Sequence, residues 1–266
     1  GQALIKLLDM LEYELYETDK EEVDIANEAE VSLFMYRNRP DVVINCAGFS
    51  GYDAQGNPDV DMAYTVNAVG ARNLAQAAES IQAKLIQIST DDVFSDPSDT
   101  PYNEFDQINP KGIFAKSKYA GEQFVTQLMT RYVIIRSSWI YGIGQDFLDE
   151  VLEAAADPSV TSLTLKDNSR AIPTSAEELA RIVMLFIDAD HFGTYHAVCS
   201  GGSCTRLEFA REILRLAGKE DNLTLSVAEN ATEKYSVLDN MMLRITGLPQ
   251  PADWREVLTA FMKEQS

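Results

Sequence analysis

Three short apolar runs, each ending in a small or polar turn, constrain this chain more than anything else in it. Asp41-Val42-Val43-Ile44-Asn45 runs into Cys46-Ala47-Gly48, and Lys84-Leu85-Ile86-Gln87-Ile88 runs into Ser89-Thr90-Asp91-Asp92. Tyr132-Val133-Ile134-Ile135-Arg136 repeats the pattern. Each is too short for a core helix and rich in branched side chains, so each reads as a strand buried on both faces. The segments between them have helical spacing. Strands alternating with helices in this way give an α/β chain built on a doubly wound parallel sheet.

The first residues add to that reading. Leu4, Leu7, Leu8 and Leu11 recur at helical spacing, Tyr13 to Glu17 reads as a short strand, and a further amphipathic segment extends to about Met35. Pro58 after Asn57 reads as a capped helix start, with periodicity continuing toward Ala78. A chain of this pattern is expected to open with a strand and a glycine-rich turn before its first helix. Here helix follows Gly1 directly, so Gly1 is expected to be the last glycine of a G-x-x-G-x-x-G turn in a natural protein that starts earlier.

Composition narrows the partners. Acidic residues outnumber basic ones by 42 to 22, a formal net charge of −20. Such a surface repels phosphate backbones and anionic lipid, which argues against nucleic-acid and membrane binding. An anionic substrate would have to be held by local backbone amides and a few basic side chains. Cys46, Cys199 and Cys204 are an odd set without metal spacing and read as free thiols of a reducing cytosol. The longest unbroken apolar run, Ile182 to Ile187, is too short to span a bilayer, and no secretion signal opens the sequence. The expected location is cytoplasmic.

In open α/β sheets ligands bind outside the carboxyl ends of the strands. Asp19 stands where an acidic side chain can bond an adenosine ribose, whereas its neighbour Lys20 suits a 2′-phosphate, so NAD and NADP both remain open. Asp24 and Ile25 would lie beside the adenine, and Ala47-Gly48-Phe49 is small enough for close backbone approach. Gly1 and Ile88 complete the candidate cofactor contacts. Thr90 and Asp91 end a strand and are the candidate substrate contacts, since a hydroxyl there can polarise a carbonyl for hydride attack. Phe114 and Lys118, at i and i+4, share a helix face. They have the spacing of a Tyr-x-x-x-Lys pair in which the lysine lowers the phenol pKa and grips a ribose. Phenylalanine has no proton to give. Substitute donors are Asp91, Tyr141 or a water; Tyr119 lies about 140° around the helix from Phe114 and should point away.

The segments Pro40-Asp41-Val42-Val43-Ile44-Asn45, Ser89-Thr90-Asp91-Asp92-Val93-Phe94 and Lys116-Ser117-Lys118-Tyr119-Ala120-Gly121-Glu122 carry a family resemblance. Arg136 to Gly142, Tyr235-Ser236-Val237-Leu238-Asp239-Asn240 and Asp253-Trp254-Arg255 extend it across nearly the whole chain. In this order they resemble the dTDP-4-dehydrorhamnose reductases, a sugar-nucleotide branch of the extended short-chain dehydrogenase/reductases. The resemblance implies a Rossmann-like dinucleotide-binding domain over residues 1–142, holding NADP or NAD. Residues 143–266 would complete the sheet and form a smaller substrate lobe over a deoxythymidine-diphosphate sugar. It implies Thr90 as the catalytic threonine, Lys118 as the lysine, Trp139 against the sugar and Asp53 near the site. Hydride would pass to C4 of a 4-keto-6-deoxy sugar, with the tyrosine protonating the alkoxide. Some members are magnesium-linked homodimers, although no metal-ligand spacing stands out here.

Three departures from the family pattern bear on activity. Phe114 replaces the tyrosine, Ala231-Thr232-Glu233-Lys234 replaces an Arg-Pro segment, and Asp167-Asn168-Ser169-Arg170 replaces an Asp-Gln segment. The expected function is an NAD(P)H-dependent reductase of a nucleotide-linked keto sugar, impaired by Phe114. The alternative is a non-catalytic dinucleotide-binding regulator on the same fold, the use made of it by the regulatory beta subunit of methionine adenosyltransferase.

Overall fold

The computed structural model describes residues 1–9, 13–142, 144 and 146–264. Leu11 lies outside the described residues. The amino-terminal part runs α1 (Gln2–Leu8), α2 (Glu28–Asn38), β1 (Val42–Asn45), α3 (Val60–Tyr64), α4 (Ala71–Ser80), β2 (Lys84–Thr90), α5 (Ile113–Leu128) and β3 (Tyr132–Ser137). Then come β4 (Ile140–Tyr141), α6 (Phe147–Ala156), β5 (Ser162–Asp167), β6 (Arg170–Ala171), β7 (Thr174–Ser175), α7 (Ala176–Met184) and β8 (Gly193–His196). The chain ends with β9 (Cys204–Thr205), α8 (Arg206–Leu216), β10 (Thr224–Thr232), α9 (Met241–Ile245) and α10 (Trp254–Glu264).

β1, β2, β3 and β8 form one parallel sheet in that order, with Ile86 opposite Val133 and Ile135 opposite Tyr195. Side chains alternate across it. Leu85 and Ile134 face a layer of α2, α4 and α5, while Ile86, Val133, Ile135 and Tyr195 face α1 and α7. This is the doubly wound, Rossmann-like α/β arrangement, with helices burying both faces. A third core, built by α6, α8 and α10 around Phe209 and Trp254, lies in the carboxyl-terminal half and reaches Phe94 and Tyr102.

Two local expectations are corrected. Residues 13–17 form no strand: Tyr13, Leu15 and Tyr16 are exposed, and the Tyr13 hydroxyl donates to Asp188. A strand needs a ladder partner for its backbone groups, which periodicity cannot supply. The helix assigned to Pro58 starts at Val60, capped by Asp59, whose side chain accepts the Met62 N–H. Pro58 instead bridges to Tyr52. The helical run 60–80 is continuous but widens into a π-turn over Thr65–Gly70.

One buried ion pair joins sheet to helix. Arg136 of β3 donates twice to Glu122 of α5, Nη2 to Oε2 at 2.6 Å and Nε to Oε1 at 3.0 Å, and Ser89 of β2 donates to the same carboxylate at 2.5 Å. Arg136→Leu strands that carboxylate in the core and should cost about 3–5 kcal/mol, whereas Arg136→Leu with Glu122→Leu should recover most of the loss; denaturant unfolding of both variants measures it.

His196, the register partner of Arg136, is fully buried, with Nδ1 shared between the carbonyls of Tyr102 and Asp239. Burial, reinforced by Arg136, pushes it down to about 3. Below pH ~6.5 the unfolded chain therefore binds a proton that the folded one rejects, and stability present above that pH is lost toward about pH 3. The stability advantage of the parent over His196→Gln should shrink by up to ~1.4 kcal/mol per pH unit between about pH 6 and 4 in unfolding titrations.

Candidate functional site

The carboxyl ends of β1 and β2 and the start of α5 converge at one edge of the sheet. Gly1 lies beside Cys46, just past β1, and its carbonyl accepts the first amides of α1. Ala47 follows, its N–H held by Asn45. Gly48 and Phe49 are fixed by a residue that sequence reasoning missed. Asn67, buried in the π-turn, accepts the Phe49 N–H at 2.9 Å and donates to the Phe49 carbonyl and the Ser117 hydroxyl, both at 2.8 Å. Its signal was a lone amide in the helical run Thr65-Val66-Asn67-Ala68-Val69. Gly121 allows α5 to approach there, since a Cβ at that position would run into the Asn67 carbonyl. Asn67→Leu leaves the part-buried N–H and carbonyl of Phe49 unpaired, while Ser117 keeps its bond to the Phe114 carbonyl, and should cost roughly 1–3 kcal/mol for each unpaired group, with faster amide exchange at Phe49 as the local readout.

Lys118 is buried on α5 and donates to the Ile88 carbonyl at 2.6 Å. Burial lowers it to about 8 against the opposing pull of Glu122 and Cys46. It remains an ammonium at neutral pH with donors to spare for a ribose hydroxyl. Thr90 closes β2 and caps the short turn Asp91–Val93, its Oγ1 accepting the Asp92 N–H at 3.1 Å. Asp91 is buried beside it: one carboxyl oxygen is 3.3 Å from Thr90 Oγ1, and the other accepts the Ser236 hydroxyl. Burial, then the charge of Asp92, pushes Asp91 up to about 7, while Lys234, Ser236 and Thr90 act in the opposite direction.

Phe114 lines a cleft of about 820 Å³ with Asp92, Lys111, Asn168, Arg170, Lys234 and Tyr235 among its other walls. Position 114 and the segments 167–170 and 231–234 therefore all contribute to one cavity. Its cations each have a carboxylate neighbour: Lys234 meets Asp92 at 2.6 Å, Lys111 meets Asp96 at 3.5 Å, and Arg170 meets Glu208 at 3.4 Å.

Trp139 has φ 43°, a left-handed conformation uncommon for so bulky a residue. Arg206 stacks on its ring at 3.8 Å, pairs with Asp167 at 3.6 Å and contributes to the field at Asp91. The remaining carboxylate candidates each accept the amides of a local turn. Asp19 accepts the N–H groups of Glu21 and Glu22, Asp24 that of Ala26, and Asp53 those of Gln55 and Asn57. Ile25 packs on Gly70, and Gly51 brings the Asp53 turn against the first turn of α5.

The substitute donors separate clearly. Tyr141 is buried between Phe209 and Phe261, its hydroxyl without a hydrogen-bond partner among the described residues and its pKa raised by burial. Tyr119 packs against the carboxyl-terminal core. Neither belongs to the walls of the Phe114 cleft; Thr90 and Asp91 are not walls either, but their neighbour Asp92 is. Among the described residues no group of three or more His, Cys, Asp or Glu side chains could hold a metal ion.

A sequence profile of the RmlD substrate binding domain matches residues 1–266. The chain belongs to this family. It is similar to the spore coat polysaccharide biosynthesis protein SpsK of Bacillus subtilis, at 32% identity over all of this chain and 94% of that protein. The crystal structure of a dTDP-4-dehydrorhamnose reductase from Clostridium acetobutylicum superposes with a TM-score of 0.91 at 36% identity, covering 100% of this chain and 95% of that one. That of the Bacillus anthracis dTDP-4-dehydrorhamnose reductase, in complex with NADP, gives 0.91 at 34% identity, covering 99% and 95%.

Proposed function

We propose that this chain is an NAD(P)H-dependent reductase of a nucleotide-linked 4-keto-6-deoxy sugar. The observation that carries the reading is that Lys118 is bonded to the Ile88 carbonyl near the end of β2, which Thr90 closes, while Phe114 one turn before Lys118 and Asp92 two residues after Thr90 line the cleft, at the carboxyl edge of one parallel sheet, where dinucleotide folds bind their ligands. The Clostridium and Bacillus relatives, named as dTDP-4-dehydrorhamnose reductases, support it.

The donor set fits a nicotinamide dinucleotide. Ala47 and Gly48 leave room for close backbone approach, Phe49 is pinned by Asn67, and Lys118 presents an ammonium from a buried position. When bound, the dinucleotide supplies a hydride. Lys118 would hold its ribose, and Thr90 would donate its hydroxyl proton toward the ligand carbonyl. The sugar side would be met by Trp139 against the ring and by the cations of the cleft, Arg170 and Lys234 from residues 143–266 and Lys111 from the amino-terminal part, facing the diphosphate. A cleft of this size suits a sugar nucleotide.

The second reading, a dinucleotide-binding regulator without chemistry, is favoured by Phe114, which brings no hydroxyl to the cleft. Turnover separates the two. The parent protein should oxidise NADPH or NADH when given a dTDP-4-keto-6-deoxy sugar, at a rate reduced by the missing phenol. Lys118→Met should weaken dinucleotide binding about tenfold or more, read by fluorescence titration without substrate. Dinucleotide binding with no turnover, in the parent and in Phe114→Tyr alike, would favour the regulator.

A further inference from the structure

We propose that Asp91 is the proton source of this site, acting through the Thr90 hydroxyl in place of the one that Phe114 lacks; the inference rests on the reductase reading above. Three features carry it. Asp91 is buried, with one oxygen 3.3 Å from Thr90 Oγ1. Its other oxygen accepts the Ser236 hydroxyl, leaving the Thr90 side free to carry a proton. Thr90 Oγ1 already accepts the Asp92 N–H at 3.1 Å.

A hydroxyl has two lone pairs and one hydrogen. With Asp91 protonated, the Asp91 O–H and the Asp92 N–H fill both lone pairs of Thr90, and the threonine hydrogen must turn toward the ligand. With Asp91 ionised, that hydrogen turns back to the carboxylate and is withdrawn from the ligand. Asp91 thus decides whether Thr90 is a donor. The groups acting on it are Asp92, which favours its protonation, and Lys234 and Arg206, which oppose it, with Ser236 and Thr90 hydrogen-bonded to it. Burial outweighs the cations and holds it near about 7. Among the other hydroxyls, Tyr141 is sealed in the core, and Tyr235 lines the cleft with its pKa raised by burial.

The step balances. Hydride from a reduced nicotinamide dinucleotide forms the new C–H bond, and the carbonyl π electrons pass to oxygen. That oxygen takes the Thr90 hydroxyl proton, and Thr90 takes the Asp91 proton. The sugar ends as the alcohol, the dinucleotide is oxidised, and Asp91 is left as a carboxylate that solvent reprotonates.

The test is a cycle of four proteins: parent, Asp91→Asn, Phe114→Tyr and the double variant, assayed for NAD(P)H oxidation with a dTDP-4-keto-6-deoxy sugar. Asp91→Asn should lower kcat by about 10²–10⁴-fold in the parent with dinucleotide affinity unchanged, and by less than about tenfold once Phe114→Tyr supplies a phenol. A structural role would cost the same in both backgrounds, and that result would overturn the proposal. The parent kcat should fall as pH rises through about 7. Ser236→Ala removes a donor that stabilises the carboxylate and should move that limb to higher pH, so the proposal stays testable if Asp91→Asn folds poorly. Without substrate or dinucleotide, infrared titration should show one carboxylic-acid band lost over the same pH range and missing from Asp91→Asn; its absence from the parent counts against the relay. Activity that survives Asp91→Asn but not Tyr235→Phe would move the proton to Tyr235. A silent parent with an active Phe114→Tyr would overturn the relay and leave the reductase reading standing. Silence in both, with dinucleotide bound, would overturn both.

Discussion

The Ser89–Glu122–Arg136 contact holds this site in register. Glu122 sits one helical turn after Lys118 on α5, and Ser89 directly precedes Thr90 on β2. One buried carboxylate therefore sets the distance between the helix that would grip a dinucleotide and the strand end that would meet a carbonyl. A buried ion pair is a poor source of net stability, because desolvating both charges offsets most of their attraction. Its value here is geometric: with Arg136 and Ser89 both bonded to it, α5 cannot slide along β2 without stranding a charge. Asn67 works the same way on the opposite side of α5, tying Ser117 to the loop after β1.

The wider electrostatics follow from the charge imbalance. A protein of net charge −20 has to manage its carboxylates wherever it expects an anion. Around the Phe114 cleft it does so by pairing: each cation has an acidic neighbour, and Asp92 is matched by Lys234. Asp91 is the carboxyl at that strand end that burial takes out of this scheme. It has no direct ion-pair partner among the described residues, and its hydrogen-bond partners are the neutral Ser236 and Thr90. A neutral acid there also spares the site a further negative charge.

The sheet was legible because its strands are unusual as sequence. Three of the four strands centre on short stretches of branched apolar residues, Val42–Ile44, Leu85–Ile86 and Val133–Ile135, a pattern that suits strands covered on both faces, whereas β8, Gly193–His196, carries no such signal. Residues 13–17 misled because strand propensity is local while a ladder is not. At the site, Thr90 and Lys118 could be placed by motif and spacing alone. Asn67, Ser236, Lys234 and Arg206 could not be given roles, since each acts across a sequence separation that periodicity does not encode: Ser236 reaches back 145 residues to Asp91 and Lys234 142 residues to Asp92. The turn carboxylates show the converse. Asp19, Asp24 and Asp53 had suitable positions, but each is engaged by its own following amides, a use that any loop aspartate can have.

Phe114 gains its meaning from this contrast. A phenylalanine at this position brings no donor, but it leaves room for the groups that would position one: Lys118 is buried at the Ile88 carbonyl and Glu122 is bonded from two sides. A site abandoned by selection would be under no constraint to keep a buried lysine, whose desolvation is a standing cost unless something uses the charge. Burying Asp91 against the pull of Lys234 and Arg206 is a second such cost. The two burials lie at the end of β2 and one turn along α5 from Phe114, which is where the proposed reaction would use them, and the carboxyl hydrogen-bonded to Thr90 is the group that would complete it.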